Sequence, residues 1–237
     1  MSRKIRIGCR RYSNFSGYKD PEISGYTKIS ISEVSPYSSF KIKNQKGEIL
    51  ENVWTFSAVY NNIPEAKLLY SAQNKREIWN HPGETHYVPE TNYITENYWN
   101  WRLSGFASPF PITYHNLDHK NSFFYLKQVG FSSYLELDYN RAKKEIFLDG
   151  YFNNFDKSFL DNLPKGNLLL VDRYCVNDEW LPYFTGKYDL KSDFIFKDTI
   201  QVDKDSMDIL INDNEVPICS AYALAILLTG IQHYFIL

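Results

Sequence analysis

Residues Leu168 to Val171 form an unbroken apolar run between the turn signal Pro164-Lys165-Gly166 and the carboxylate of Asp172. A short apolar run bounded in this way is the pattern of a strand buried on both faces. Such a strand has to be covered from two sides, so helices must flank a sheet. The expected fold class is therefore α/β (or α+β), a single mixed domain over 1–237 with a central sheet and several packed helices. The chain is long enough for this, because a protein of 237 residues buries roughly 70–75% of its unfolded surface.

The 26 basic and 28 acidic residues leave a formal net charge of -2. That excludes a protein whose whole surface neutralises phosphates. The basic opening, Arg3, Lys4, Arg6, Arg10 and Arg11, reads as a solvated start flanking a first strand, with a phosphate-contacting arm as the alternative. Three widely spaced cysteines, Cys9, Cys175 and Cys219, with no CxxC pair and no signal peptide, point to free buried thiols in a cytoplasmic protein. The abundance of Tyr and Phe, 19 and 16 residues, together with Asn, is a composition found in large viruses, phages and low-GC bacteria.

Along the chain, Ile29 and Ile31 alternate with polar neighbours as in a half-buried strand, and Asn44 to Gly47 reads as a turn. Val53, Phe56, Tyr60 and Ile63 recur at helical spacing, which predicts a helix capped by Asn52 and closed by Pro64. Residues 71–125 form an irregular, insert-like segment rich in aromatics and histidine, in which only Thr95 to Ser104, capped by Thr95 and followed by Gly105, is helical. Ser133-Tyr134-Leu135-Glu136 reads as a capping box before a helix carrying Leu135, Tyr139, Ala142, Ile146 and Phe147 on one face. Phe194, Phe196, Ile200 and Val202 alternate as strands do, and Asp208 to Ile211 reads as another short strand. The uncharged segment from Val216 to the end is long enough to span a bilayer. Pro217, Gly230, Gln232 and His233 within it favour a buried helix over a tail anchor, so a membrane partner is not expected.

Several groupings are chemically suggestive. His81, Glu84 and His86 lie close in sequence, with His115 and His119 further on, and imidazoles with a carboxylate suit zinc. Their spacing matches no strong metal signature, so ordinary loop histidines are the expectation and no metal is assigned. Trp79, Tyr87, Tyr93, Tyr98, Trp99 and Trp101, beside Arg102, are able to stack a base or a sugar, although core packing explains such clusters as well. The carboxylates singled out are Glu51, Glu84, and Asp172 at the C-terminal end of the buried strand, where sites gather in α/β proteins.

One segment carries a family likeness. Tyr37-Ser38-Ser39-Phe40, the extended Lys41-Ile42-Lys43, Gly47 and then Trp54-Thr55-Phe56-Ser57-Ala58-Val59-Tyr60 resemble the opening of the NADAR proteins, with their FSNF, strand, turn glycine and WPTSEHYYQ. Tyr139 to Tyr151, Leu168 to Tyr174, and Pro217 to Ala221 look closer to an uncharacterised relative family of bacteria, phages and large viruses. The resemblance implies an N-glycosidase that hydrolyses an ADP-ribosyl or N-ribosyl linkage without metal or other cofactor. Its ligand would be an ADP-ribosyl or nucleotide-like small molecule, with modified nucleic acid as a wider class. Tyr37, Ser39, Phe40, Trp54, Ser57 and Tyr60 would then bind substrate. The family's Asn falls on Ser39 and its Glu on Ala58, which leaves Glu51 or Glu84 to supply the catalytic carboxylate. Two other readings stay open: a non-catalytic nucleotide-sensing or interaction protein of a phage or large virus, and a metal-dependent hydrolase using the His81–His119 group.

Overall fold

A computed structural model describes residues 3–13, 17–66, 81–112, 114, 118–128, 130, 132–190 and 193–236. In chain order these form β1 (Ile5–Cys9), β2 (Arg11–Ser13), β3 (Gly17–Lys19), β4 (Thr27–Ser30), α1 (Leu50–Ser57), β5 (Ala58–Val59), β6 (Asn62–Ile63), β7 (Glu84–Thr85), β8 (Tyr87–Val88), β9 (Tyr93–Ile94), α2 (Glu96–Ala107), β10 (Phe123–Lys127), β11 (Tyr134–Leu137) and α3 (Tyr139–Ala142). A turn of π-helix over Lys143–Leu148 follows, then α4 (Asp149–Asn154), β12 (Leu168–Asp172), α5 (Leu181–Lys187), β13 (Ile195–Phe196), β14 (Thr199–Gln201), α6 (Lys204–Asn212) and α7 (Ser220–Thr229). The chain is mixed α/β and divides into two compact units, one of residues 1–42 with 143–237 and one of residues 43–142.

The first unit is built on a five-stranded sheet in the order β13-β14-β1-β12-β4. β12 runs parallel to β1 on one edge, pairing Ile5 with Leu168 and Cys9 with Asp172, and parallel to β4 on the other, pairing Leu168 with Thr27. All five of its residues are buried, as the apolar run predicts, and each of the four apolar side chains contributes about 1.5–3 kcal/mol. Parallel strands need long crossovers, and here the second unit and the π-helix–α4 stretch lie in the chain between β4 and β12. α7 packs against β1 and β12, and its first seven residues are buried, which explains a helix with no charged side chain. Among the described residues no helix is long and apolar enough to cross a membrane. Lys143, fully buried in the π-helix, donates from Nζ to the carbonyls of Asp213 at 2.7 Å and Val216 at 3.3 Å. A buried ammonium needs such partners, because an unpaired one would be far more costly.

The second unit holds an antiparallel sheet in the order β11-β10-β5 and the helix pair α1 and α2. Thr95 caps α2, its hydroxyl accepting from the Tyr98 amide, as its sequence position predicts. Gly105 lies inside that helix and not beyond it, because the Phe56 ring of α1 occupies the space a side chain would need.

Four expectations are corrected. Asn52 is not a cap: α1 starts at Leu50, and the buried Asn52 amide donates to the Phe110 carbonyl at 2.8 Å while its oxygen accepts from the Ile112 amide at 2.8 Å. Helix α1 also stops at Ser57, and Ala58 and Val59 join β10 as a strand. Ser133 to Glu136 is not a capping box, because Tyr134 to Leu137 pair with β10 and the helix starts after Asp138, whose carboxylate accepts from the Arg141 amide at 2.8 Å. Asp208 to Ile211 belongs to α6, where Asp203 and Ser206 form a reciprocal cap and Met207, Leu210 and Ile211 bury one face at helical spacing.

Gly105→Ala tests the α1–α2 contact. An ideal Cβ there lies 2.1 Å from a Phe56 ring carbon, so overpacking of about 1–3 kcal/mol outweighs the ~1 kcal/mol helix-propensity gain. Thermal unfolding is expected at a lower Tm, and an unchanged or higher Tm would show that the ring has room to move.

Candidate functional site

In the first unit, β1, β12 and β4 point the same way, so their C-terminal ends place Cys9, Asp172 and Ser30 along one edge of the sheet. Ligands of open α/β sheets gather at such edges. Asp172 is 6% exposed. Burial pushes its carboxyl up to about 6, against the opposing pull of the Tyr174, Arg173 and Ala221 amides. The Ala221 amide is one of the unpaired donors in the first turn of α7. The residue that precedes that helix, Cys219, supplies no side-chain cap, so Asp172 fills the acceptor role from across the fold.

The segment after β4 meets the same helix end. The Ser39 amide donates to the Ser220 hydroxyl at 2.9 Å, and the two hydroxyls lie 3.2 Å apart. Tyr151 donates to the Tyr37 carbonyl at 2.8 Å, and the Tyr37 hydroxyl donates to the Phe159 carbonyl at 3.2 Å. Tyr151 stacks on Phe155 at 5.4 Å, with Tyr37 beyond at 6.2 Å. Tyr151 is fully buried and held protonated, first by desolvation and then by the Asp172 charge. A carboxylate, a helix N-terminus, two serine hydroxyls and an aromatic wall thus converge in one unit. Phe40 is buried in this unit too. The Arg10 guanidinium pairs with Asp20 at 2.7 Å, and Arg11 pairs with Asp198 and with Glu179. Those two arginines of the basic opening therefore already have carboxylate partners.

Glu51, Trp54, Ser57, Tyr60 and Glu84 fall in the second unit. Trp54 stacks on Phe124 at 4.8 Å and meets His119 at 5.6 Å. Tyr60 and the His119 Nδ1 lie 2.6 Å apart. Desolvation lowers His119 to about 4 and raises Tyr60 well above its usual value, with Glu51 and Asp118 adding to the latter. Both groups therefore stay uncharged and share a hydrogen bond across that contact. Ser57 is buried, and its carbonyl accepts from Tyr98. Glu84 Oε2 lies 3.5 Å from His81 Nε2 and 3.6 Å from His86 Nε2. His86 is buried and lowered to about 4, by desolvation and then by His81.

The histidines thus separate into a Glu84 group and a Tyr60 group. Among the described residues no three His, Cys, Asp or Glu side chains are arranged to hold a metal ion. Trp79 and His115 lie outside the described residues. Tyr98 and Trp101 are core residues, and the buried Arg102 donates to the carbonyls of Phe56 and Tyr125 and to the Tyr98 hydroxyl. Packing and internal bonding account for these three.

No family model matches the chain, and neither a curated protein nor a solved structure matches it.

Asp172 gives a pH test with a defined sign. Its folded carboxyl holds its proton up to about 6, whereas an unfolded one releases it near 3.9. The group therefore favours folding below pH 4 and loses that contribution as pH rises through 6, a difference of ~3 kcal/mol. Asp172→Asn keeps an acceptor for the Ala221 amide and removes the charge. The variant is expected to have a higher Tm than the parent at pH 7.5 and an equal one at pH 4. Equal Tm values at both pH values would show that Asp172 is solvated.

Proposed function

We propose that this protein is an N-glycosidase that hydrolyses an ADP-ribosyl or N-ribosyl linkage, with its reacting centre at Asp172 in the first unit. The observation that carries this reading is the buried Asp172 carboxyl at the C-terminal edge of the parallel strands, next to the helix end that also holds Ser39. Cleavage of an N-glycosidic bond builds positive charge at the ribose C1′, so an anion fixed in a low-dielectric site lowers the barrier. Asp172 supplies that anion and takes a proton from the attacking water. The departing nitrogen takes its proton from solvent. Ser39 and Ser220 offer hydroxyls to the ribose, and Tyr37 supplies aromatic surface. Under this reading Asp172 takes the role that the family likeness leaves vacant at Ala58, and Glu51 and Glu84 are not required.

The test has a binding arm and a catalytic arm. ADP-ribose at about 100 times its Kd is expected to stabilise the protein by ~2.7 kcal/mol, visible as a raised Tm. Incubation with ADP-ribosylated guanine nucleotide is expected to release ADP-ribose and the unmodified guanine nucleotide, with kcat/KM rising to a plateau as pH passes 6. Asp172→Asn is expected to keep the Tm shift and lower kcat by about 10²–10⁴-fold, whereas Glu51→Gln and Glu84→Gln keep full rates. A Tm shift without release of ADP-ribose from that substrate would assign a nucleotide sensor. No shift with ADP-ribose, ADP or ribose 5-phosphate would overturn the reading.

A further inference from the structure

We propose that Cys175 and Cys219 are a disulfide-forming pair that a peroxide oxidises, leaving Cys9 as a free thiol. The two sulfurs lie 3.2 Å apart although 44 residues separate them in sequence. A disulfide bond measures about 2.05 Å, so the sulfurs need to approach by only about 1.2 Å. The backbone on each side is already tied to the other. Cys175 follows β12, and the next amide, that of Val176, donates to the Tyr222 hydroxyl on α7 at 3.1 Å. Cys219 immediately precedes α7, and its carbonyl accepts from the Tyr222 amide at 3.2 Å.

Cys9 lies in the same neighbourhood, but its sulfur has other partners, the carbonyls of Arg10 and Arg173 at 3.7 and 3.8 Å and the Asn177 amide at 4.0 Å. All three cysteines are buried and free in the reduced protein. Burial pushes the Cys175 and Cys219 thiols up. The thiolate, which is the reactive form, is therefore scarce at neutral pH, and the reaction quickens as pH rises.

The reaction balances with hydrogen peroxide as the oxidant. One sulfur attacks peroxide, an S–O bond forms as the O–O bond breaks, and water leaves, giving a sulfenic acid. The second sulfur then displaces the sulfenic oxygen as a second water, and the S–S bond forms. Two thiols lose two electrons and two protons, and the peroxide is reduced to two waters. The product cross-links the loop after β12 to the start of α7, beside Ser220 and Ala221. That the cross-link regulates the Asp172 site rests on the function proposed above; formation of the bond does not.

The full-length protein is treated with hydrogen peroxide and its thiols are counted after denaturation. The count is expected to fall from three to one, with loss of two hydrogen masses, a cross-linked peptide joining positions 175 and 219, and recovery with dithiothreitol. Cys9→Ser is expected to fall from two thiols to none, while Cys175→Ser and Cys219→Ser each keep two. Three persistent thiols, stable sulfinic acid without a cross-link, or a bond to Cys9 would each overturn the pairing. The ADP-ribose Tm shift, measured before and after oxidation, reports separately on the site. An unchanged shift in cross-linked protein would remove the regulation and keep the disulfide, and no shift in either form would overturn the functional reading alone.

Discussion

The enclosure of β12 is the constraint on which the first unit depends. A strand paired in parallel on both edges presents no free edge, and its five consecutive buried residues leave no side for water. Three consequences follow. The helix packed on it must be apolar, as α7 is. The chain must cross over between its parallel neighbours, which places long stretches between β4 and β12. Whatever ends β12 is delivered into a dry environment, and the residue there is an aspartate. The raised carboxyl of Asp172 is thus a result of strand placement.

The second unit is organised by a different interaction, the interlock of aromatic side chains between α1 and α2. Phe56 and Trp101 lie 4.2 Å apart, close enough that only glycine fits at position 105. Rings packed at this density bring polar tips with them, and each tip needs a partner. Trp101 donates to the Tyr114 hydroxyl at 3.1 Å, Tyr98 donates to the Ser57 carbonyl at 3.2 Å, and Tyr60 shares a hydrogen bond with His119. Arg102 gathers three of the acceptors at once. His86 and His119 stay neutral in this setting because burial disfavours their charged forms. Both withdraw stability as pH falls from 6.5 towards 4, opposite in sign to Asp172 over the same range.

What was legible in the sequence is what local pattern decides. The apolar run gave β12, Thr95 gave the start of α2, and the uncharged C-terminal segment gave a buried α7. The misreadings arose where two local patterns competed. Ser133 to Glu136 has capping-box chemistry, yet Leu135 and Leu137 also alternate, and pairing with β10 decided for the strand. Met207, Leu210 and Ile211 suit a helix face as well as an apolar strand, and the reciprocal Asp203–Ser206 cap decided for the helix. Asn52 has the chemistry of a cap and instead satisfies two buried backbone groups. Ser39 is separated from both Asp172 and Ser220 by more than a hundred residues of chain, and Cys9 from Cys175 likewise. Only parallel pairing brings strand ends from distant sequence to one edge, and no spacing rule announces that.

Asp172 has a structural duty and more charge than that duty needs. A helix whose own N-cap position is a cysteine requires one acceptor for its exposed amides, and a neutral asparagine or serine oxygen provides one. The charged form of an aspartate carries by far the larger desolvation cost in a buried site, and the amides of Arg173, Tyr174 and Ala221 offset that cost only in part. A neutral side chain would cap the helix with less strain on the fold. The charge is therefore the property that capping leaves unaccounted for, and a fixed anion is what a developing cation at an adjacent ribose would use. That excess of charge over structural need separates Asp172 from Asp203 and Asp138, which cap their helices in exposed positions where water solvates the charge.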